Sequence, residues 1–288
     1  MTDLSILYDL AARLLPFDCL QARFMQQALV GLTLLAPMAG TMGVQVVNFR
    51  MAFFSDAVSH SAFTGVALGL LFSVDPLWTM PLFGLLVGLG IMAMQRQSAL
   101  SSDTVIGVFF SAVIAFGLAV VSREPSTARD LQRFLYGDIL TITDGEIRRL
   151  AALFTAVMAF QAWSYNRLFY IGIHPALAKA HRVRVPLLQY LFAGLLALIV
   201  MFSVRAVGVL LVTAILIVPA ATARNLSRTA GGMFWWALLV SASSAVSGLV
   251  ISAHPWANTA TGATIILVAC LWFAVSAIVA FARGERMQ

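Results

Sequence analysis

Two ionisable residues stand four positions apart inside an otherwise apolar stretch: Asp56 and His60, in Phe54-Ser55-Asp56-Ala57-Val58-Ser59-His60-Ser61. On a helix, positions i and i+4 share one face, so both side chains project the same way. A carboxylate and an imidazole converging where water is scarce make half of a coordination site for a divalent first-row cation. Ser55, Ser59 and Ser61 lie near them in sequence. The same spacing also suits a plain ion pair or hydrogen bond between the two at a helix end. Two ligands are fewer than the four of a closed structural zinc site. A second copy of the helix across a two-fold axis would supply two more, and a site that passes an ion onward has to release it. Charges within apolar spans are costly and mark function by default.

The other chemistry-bearing residues are weaker candidates. His174 and His181 sit in a basic connection and His254 in a late polar one, where a solvated side chain is the ordinary reading. Asp103, in Ser101-Ser102-Asp103-Thr104, suits a helix cap or first turn, where an acid meets the positive end of the dipole. Cys19 and Cys270 form no CxxC pair. The sequence contains no GxxxxGK[ST], HExxH or GxSxG pattern, and its single lysine, Lys179, follows Ala178 rather than a phosphate-binding glycine. If ATP drives any process in this chain, another polypeptide must bind it.

The elements that hold these residues are membrane-length. Hydrophobic residues make up 61% of the chain and charged residues 10%, against roughly 25% charged in a soluble domain. A water-facing surface cannot be built from so few charges, so the main solvent is lipid. The apolar runs predict nine spans, at 25–47, 53–72, 78–94, 105–121, 150–165, 187–203, 207–223, 233–252 and 264–282. The stretch 4–20 is broken by Asp9, Arg13, Pro16 and Asp18 and reads as an amphipathic interfacial segment, 1–24, before a transmembrane domain at 25–282. Gly65 with Gly69, and Gly84 with Gly88, are small-xxx-small pairs that let helices approach closely.

The basic residues punctuate the gaps between runs and form no aromatic-interleaved stripe, which speaks for membrane-edge anchors and against nucleic acid. An odd number of spans puts the ends on opposite sides. With the tail 283–288 cytoplasmic, 10 of the 18 basic residues fall inside and 8 outside, a small bias in the sense of the positive-inside rule. This places the connection 166–186 inside and 122–149 outside. The latter carries Leu131-Gln132-Arg133-Phe134-Leu135-Tyr136, enough for a short helix against the bundle. The former carries His174-Pro175-Ala176-Leu177-Ala178-Lys179-Ala180, a short helix with proline at its start. A short cytoplasmic helix is a means of touching a soluble partner, although an ordinary amphipathic connector has the same look.

The run from Phe49 to Gly69, with Ser102-Asp103-Thr104-Val105-Ile106-Gly107, Leu135-Tyr136-Gly137-Asp138-Ile139-Leu140 and Val218-Pro219-Ala220-Ala221-Thr222-Ala223-Arg224, resembles the zinc/manganese ABC permease family. The matches occur in the family's order and cover nearly the whole chain. The resemblance implies an all-α bundle of about nine transmembrane helices, similar to the cobalamin and siderophore importer permeases. It implies a subunit in the bacterial inner membrane that forms a homodimer, binds a separate ATP-binding cassette subunit and takes metal from an extracytoplasmic binding protein. It puts metal at Asp56 and His60, the ATPase contact on His174, Pro175, Ala176, Leu177, Ala178 and Lys179, and the binding-protein side at Gly137 and Asp138. The chain is then a transport subunit and no enzyme; zinc is the first expectation, with manganese or iron as alternatives. Two departures stand out. The cytoplasmic loop lacks the family's frequent acid and has Arg182 about where a glycine is usual, and Asn258-Thr259-Ala260-Thr261-Gly262 replaces Asp-Thr-Pro-x-Gly.

Two other classes fit the residues less well. An intramembrane metalloenzyme would need a third protein ligand and a general base, and no further His or acid lies within an apolar span. A secondary carrier often shows inverted repeats with broken helices and several buried charges, which the sequence does not display.

Overall fold

The computed structural model describes Tyr8, residues 21–122, 139–257 and 259–283. Among these residues the chain forms ten α-helices and one 3-10 turn, Ile139–Thr141. The helices are α1 (Arg23–Asn48), α2 (Phe54–Leu71), α3 (Pro76–Gln97), α4 (Ser102–Val121), α5 (Asp144–Ile173), α6 (Pro175–Ala180), α7 (Val185–Val207), α8 (Val209–Leu226), α9 (Ala230–Ala253) and α10 (Thr261–Ala282). Each of the nine expected spans falls on one of these helices, and α6 is the expected short helix beginning at Pro175. Seven helices (α1, α3, α4, α7, α8, α9 and α10) are long and apolar enough to cross a membrane. Of the nine long helices, the two that fall short are informative. α2 is diluted by Asp56, His60, three serines and a threonine, and α5 carries Asp144, Glu146, Arg148, Arg149 and Arg167 towards its ends. The 131–136 segment and most of residues 1–24 lie outside the described residues.

Helix starts follow local chemistry. Asp75 caps α3 by accepting the Leu77 N–H at 2.9 Å, with Pro76 in the first turn. Ser101 caps α4 by accepting the Thr104 N–H at 3.2 Å, and Asp103 lies in that first turn as expected. Gly208 (φ 84°) ends α7 in a conformation open to glycine, and α8 begins at the next residue.

The helices belong to two compact units. One contains Met1–Val44, Asp138–Ala159 and Ala214–Gln288, in their described parts. Within it α9 packs on α10, Asn225 donates to Ser276 Oγ at 3.1 Å, and Ser252 donates to Thr261 Oγ1 at 3.1 Å. At the start of α5, Asp144 Oδ1 accepts from the Tyr8 hydroxyl at 2.6 Å and from the Gln27 amide at 2.8 Å. The Tyr8 hydrogen bond, followed by that of Gln27, holds the Asp144 carboxyl below its ordinary value. Burial, reinforced by the carboxylate, pushes the Tyr8 phenol up to about 12.

The other unit, Gln45–Gly137 and Phe160–Thr213, holds Asp56, His60 and the basic connector. Here α2 packs against α3, α4 and α7. Its glycines are contact points: a Cβ on Gly65 would stand 2.8 Å from the Met80 Cα, a backbone atom that cannot give way. On α3, a Cβ on Gly88 would meet Ala197 of α7 at 3.0 Å and the tip of Phe54 at 3.2 Å. Removing a side chain at these places lets the backbones close together, which is how helices associate where no hydrophobic force separates them from solvent. Thr64 adds a buried hydrogen bond to the Val113 carbonyl of α4 at 3.0 Å.

Candidate functional site

Helix α2 is enclosed on nearly all sides. From Phe54 to Ala67 every residue is buried except Asp56, His60 and Phe63, which are intermediate. These three follow i, i+4, i+7, so they make one half-open stripe on an otherwise sealed helix. The side chains of His60 and Asp56 are 42% and 40% exposed. His60 Nε2 lies 3.9 Å from Asp56 Oδ1, within reach of charge attraction but too long for a hydrogen bond. Their lone pairs are therefore not consumed by each other. Two ligand atoms bonded to one zinc at about 2.0–2.2 Å stand about 3.4 Å apart at the tetrahedral angle, so small rotamer movements would bring both onto one ion. Asp56 sits in the first turn of α2, where the helix dipole favours negative charge.

The His60 ring meets Phe110 of α4 edge to face, with centroids 5.2 Å apart and planes at 88°. That contact orients the imidazole and walls one side of the stripe. Phe110 had no signal in the sequence, because nothing local links it to α2; the link is made by helix packing.

The flanking serines do not join the site. Ser55, Ser59 and Ser61 are fully buried, and their hydroxyls donate back to the Ala52, Asp56 and Val58 carbonyls of the same segment at 3.3, 2.9 and 2.6 Å. They sit on the packed face and make α2 polar without presenting that polarity to the stripe. Among the described residues no group of three or more His, Cys, Asp and Glu side chains converges.

The basic connector lies in the same unit. His174 precedes α6, and its Nδ1 accepts the Ala176 N–H at 3.2 Å, a cap supplied by the histidine itself. Ala178 is buried and Lys179 is exposed. The His181 ring stacks on Tyr170 of α5, centroids 5.3 Å apart and planes at 18°. α6 then ends in a Schellman turn: Val183 N–H donates to the Ala178 carbonyl and Arg182 N–H to the Lys179 carbonyl, each at 3.0 Å. Arg182 occupies the left-handed position of that turn, at φ 55°. A glycine would suit this position, because the left-handed region costs an L-residue with a Cβ about 1–2 kcal/mol. Gly137 and Asp138 lie outside the described residues.

The model of the ABC 3 transport family matches residues 21–280. The chain belongs to the ABC 3 transport family. It is a multi-pass membrane permease of the ABC transporter type rather than an enzyme, and the bacterial inner membrane suits it. The permease is 30% identical over 235 residues to the high-affinity zinc uptake system membrane protein ZnuB of Haemophilus influenzae, covering 82% of this chain and 89% of that one. It is 30% identical over 265 residues to the manganese transport system membrane protein MntC of Listeria monocytogenes, covering 92% and 94%. Among solved structures, PsaBC from Streptococcus pneumoniae in complex with Fab matches with TM-score 0.74 and 29% identity over 93% of the permease and 94% of that chain. An inward-facing metal-chelate type ABC transporter shares the fold, with TM-score 0.66 and 18% identity.

Proposed function

We propose that the permease is the membrane subunit of an ATP-driven importer for a divalent first-row metal ion, zinc first and manganese second. The single observation that carries this reading is the half-open stripe of Asp56 and His60 on a helix buried elsewhere. A carboxylate and an imidazole suit either metal, and geometry and availability choose between first-row ions more than raw affinity does. Relatives named for zinc and for manganese uptake, at equal identity, support the class and keep manganese beside zinc, with iron the remaining alternative.

In this reading all nine long helices cross the bilayer, α2 and α5 being tolerated there by helix neighbours despite their polar residues. The stripe lies near the two-fold axis of a homodimer, so that two Asp56 and two His60 side chains line one path. The site is sparse because the ion must leave it. The α6 connector faces the cytoplasm and docks on the ATPase, and Gly137–Asp138 faces the extracytoplasmic binding protein. ATP binding on that partner, transmitted through residues 174–184, shifts the helices around Asp56 and His60 between two access states; a partner can only do this by binding the two states unequally.

The test is reconstitution in liposomes with and without the ATPase, with the metal-binding protein held outside. Accumulation of zinc or manganese should require both the ATPase and ATP. Accumulation by the permease alone, driven by a proton or sodium gradient, would replace this reading with a secondary carrier.

A further inference from the structure

At the end of the unit that carries α6, a cavity of about 320 Å³ opens between the C-terminal part of α5 and the N-terminal end of α7. Its wall includes Trp163, Arg167, His181, Arg182, Arg184 and Leu187. Three guanidinium groups and one imidazole thus border a single space. Arg167 stands over the Trp163 ring, its Cζ 4.8 Å from the centroid, which positions one guanidinium. His181 is held from the other side by its stack on Tyr170.

No Asp or Glu occurs anywhere from residue 147 to 284, and among the described residues none of the three guanidinium groups pairs with a carboxylate. Like charges gathered in one cavity repel one another unless an anion joins them. Arginine forks match the oxygens of a phosphate bidentately, and the cavity is at the small end of ligand-pocket volumes.

We propose that this cavity holds the headgroup of one anionic phospholipid. The apolar part of the wall chooses lipid over a water-borne anion. Trp163 is 51% exposed and Leu187 45% exposed, on the outer sides of long helices of a membrane protein. Tryptophan favours the level of the headgroups, and an acyl chain below it would cover Leu187. Basic pockets between transmembrane helices on one membrane side take anionic headgroups in this way. A zwitterionic choline lipid offers the same phosphate but brings a quaternary ammonium among four basic side chains. The headgroup would bridge α5 to Arg182 and Arg184, so that the position of α6 depends on the surrounding lipid. That consequence rests on α6 as the ATPase contact; the binding itself does not.

The experiment is native mass spectrometry of the full chain purified in mild detergent, titrated separately with phosphatidylglycerol, phosphatidylcholine and inorganic phosphate. One phosphatidylglycerol should be retained in preference to phosphatidylcholine, and millimolar phosphate should not displace it. Arg167→Gln with Arg184→Gln should weaken that retention by about fivefold for each charge removed. Arg182→Gly removes a third charge while placing glycine at a left-handed position, so its fold is secure; it should also lose about fivefold. Equal retention of the two lipids, selectivity unchanged in these variants, or displacement by inorganic phosphate would each overturn the proposal. So would variants that keep lipid selectivity and lose only a copurifying ATPase, since the arginines would then serve a protein surface.

Discussion

Helix α2 and the 174–184 connector lie in one unit and hold its two main candidate sites, yet they treat polarity in opposite ways. α2 hides its polar groups: Ser55, Ser59 and Ser61 are sealed against their own backbone, and only Asp56, His60 and Phe63 break the buried surface before its last turn. The connector shows its polar groups: His174, Lys179 and His181 are exposed, and Arg182 stands in a left-handed turn. A helix packed on three neighbours holds the backbone under its two half-exposed ionisable side chains in place, which suits coordination. A six-residue helix on exposed turns is easily displaced, which suits a contact that must move. The contrast follows from physics already visible in the residues, since Gly65 and Gly88 permit close packing whereas Pro175 and Arg182 bracket a short, separate helix.

The contrast can be broken most forcefully at the connector. Deleting residues 175–180 should release the ATPase from detergent-purified complex and abolish uptake, while the melting of α2 and its neighbours is retained. Co-purification at full stoichiometry would show that α6 is not the contact. A smaller effect is expected within the α2 packing. Gly65→Ala forces a Cβ to 2.8 Å from a backbone atom and should cost about 1–3 kcal/mol of stability. Gly107→Ala on α4 meets nothing within 4 Å and should stabilise by about 0.5–1 kcal/mol through helix propensity. Thermal melting in detergent reads both, and equal shifts would mean that α2 is not tightly held. An effect of similar size to that at Gly107 is expected at Arg182. Its replacement by glycine should relieve about 1 kcal/mol at the left-handed turn, seen as slower hydrogen exchange at the Val183 and Arg182 amides. Faster exchange would mean that the arginine side chain holds the turn by other contacts.

Most of the scaffold was legible in the sequence because apolar run length is a strong signal in lipid. Each expected span falls on a helix, with ends within about two to four residues except at α5, which runs six residues earlier and eight later than 150–165. There the run is interrupted by charges that a helix tolerates at its ends, so hydropathy understated its length. The shared face of Asp56 and His60 was equally legible, since it needs only the period of a helix. The roles of the neighbouring serines were not: sequence puts them beside the site, whereas rotation about the helix axis turns them into the packed face. Phe110 against His60, Tyr170 against His181 and the cavity beside Trp163 depend on which helices pack together, which one chain's pattern does not encode. Arg182 departs from the family pattern in sequence, but its left-handed backbone is visible only in the fold. Gly137 and Asp138 fall outside the described residues, so their expected place on the binding-protein side stands as proposed.

The central claim is that the metal passes along Asp56 and His60 in a permease whose energy comes from a partner. It is tested most directly by replacing each with alanine in the reconstituted complex and measuring radiolabelled zinc or manganese uptake alongside ATP hydrolysis. The account predicts an assembled complex that still hydrolyses ATP, with uptake reduced by about a hundredfold or more in either variant, beyond the tenfold to hundredfold typical of losing a group behind a metal ligand. Uptake at the unaltered rate in both Asp56→Ala and His60→Ala would contradict it.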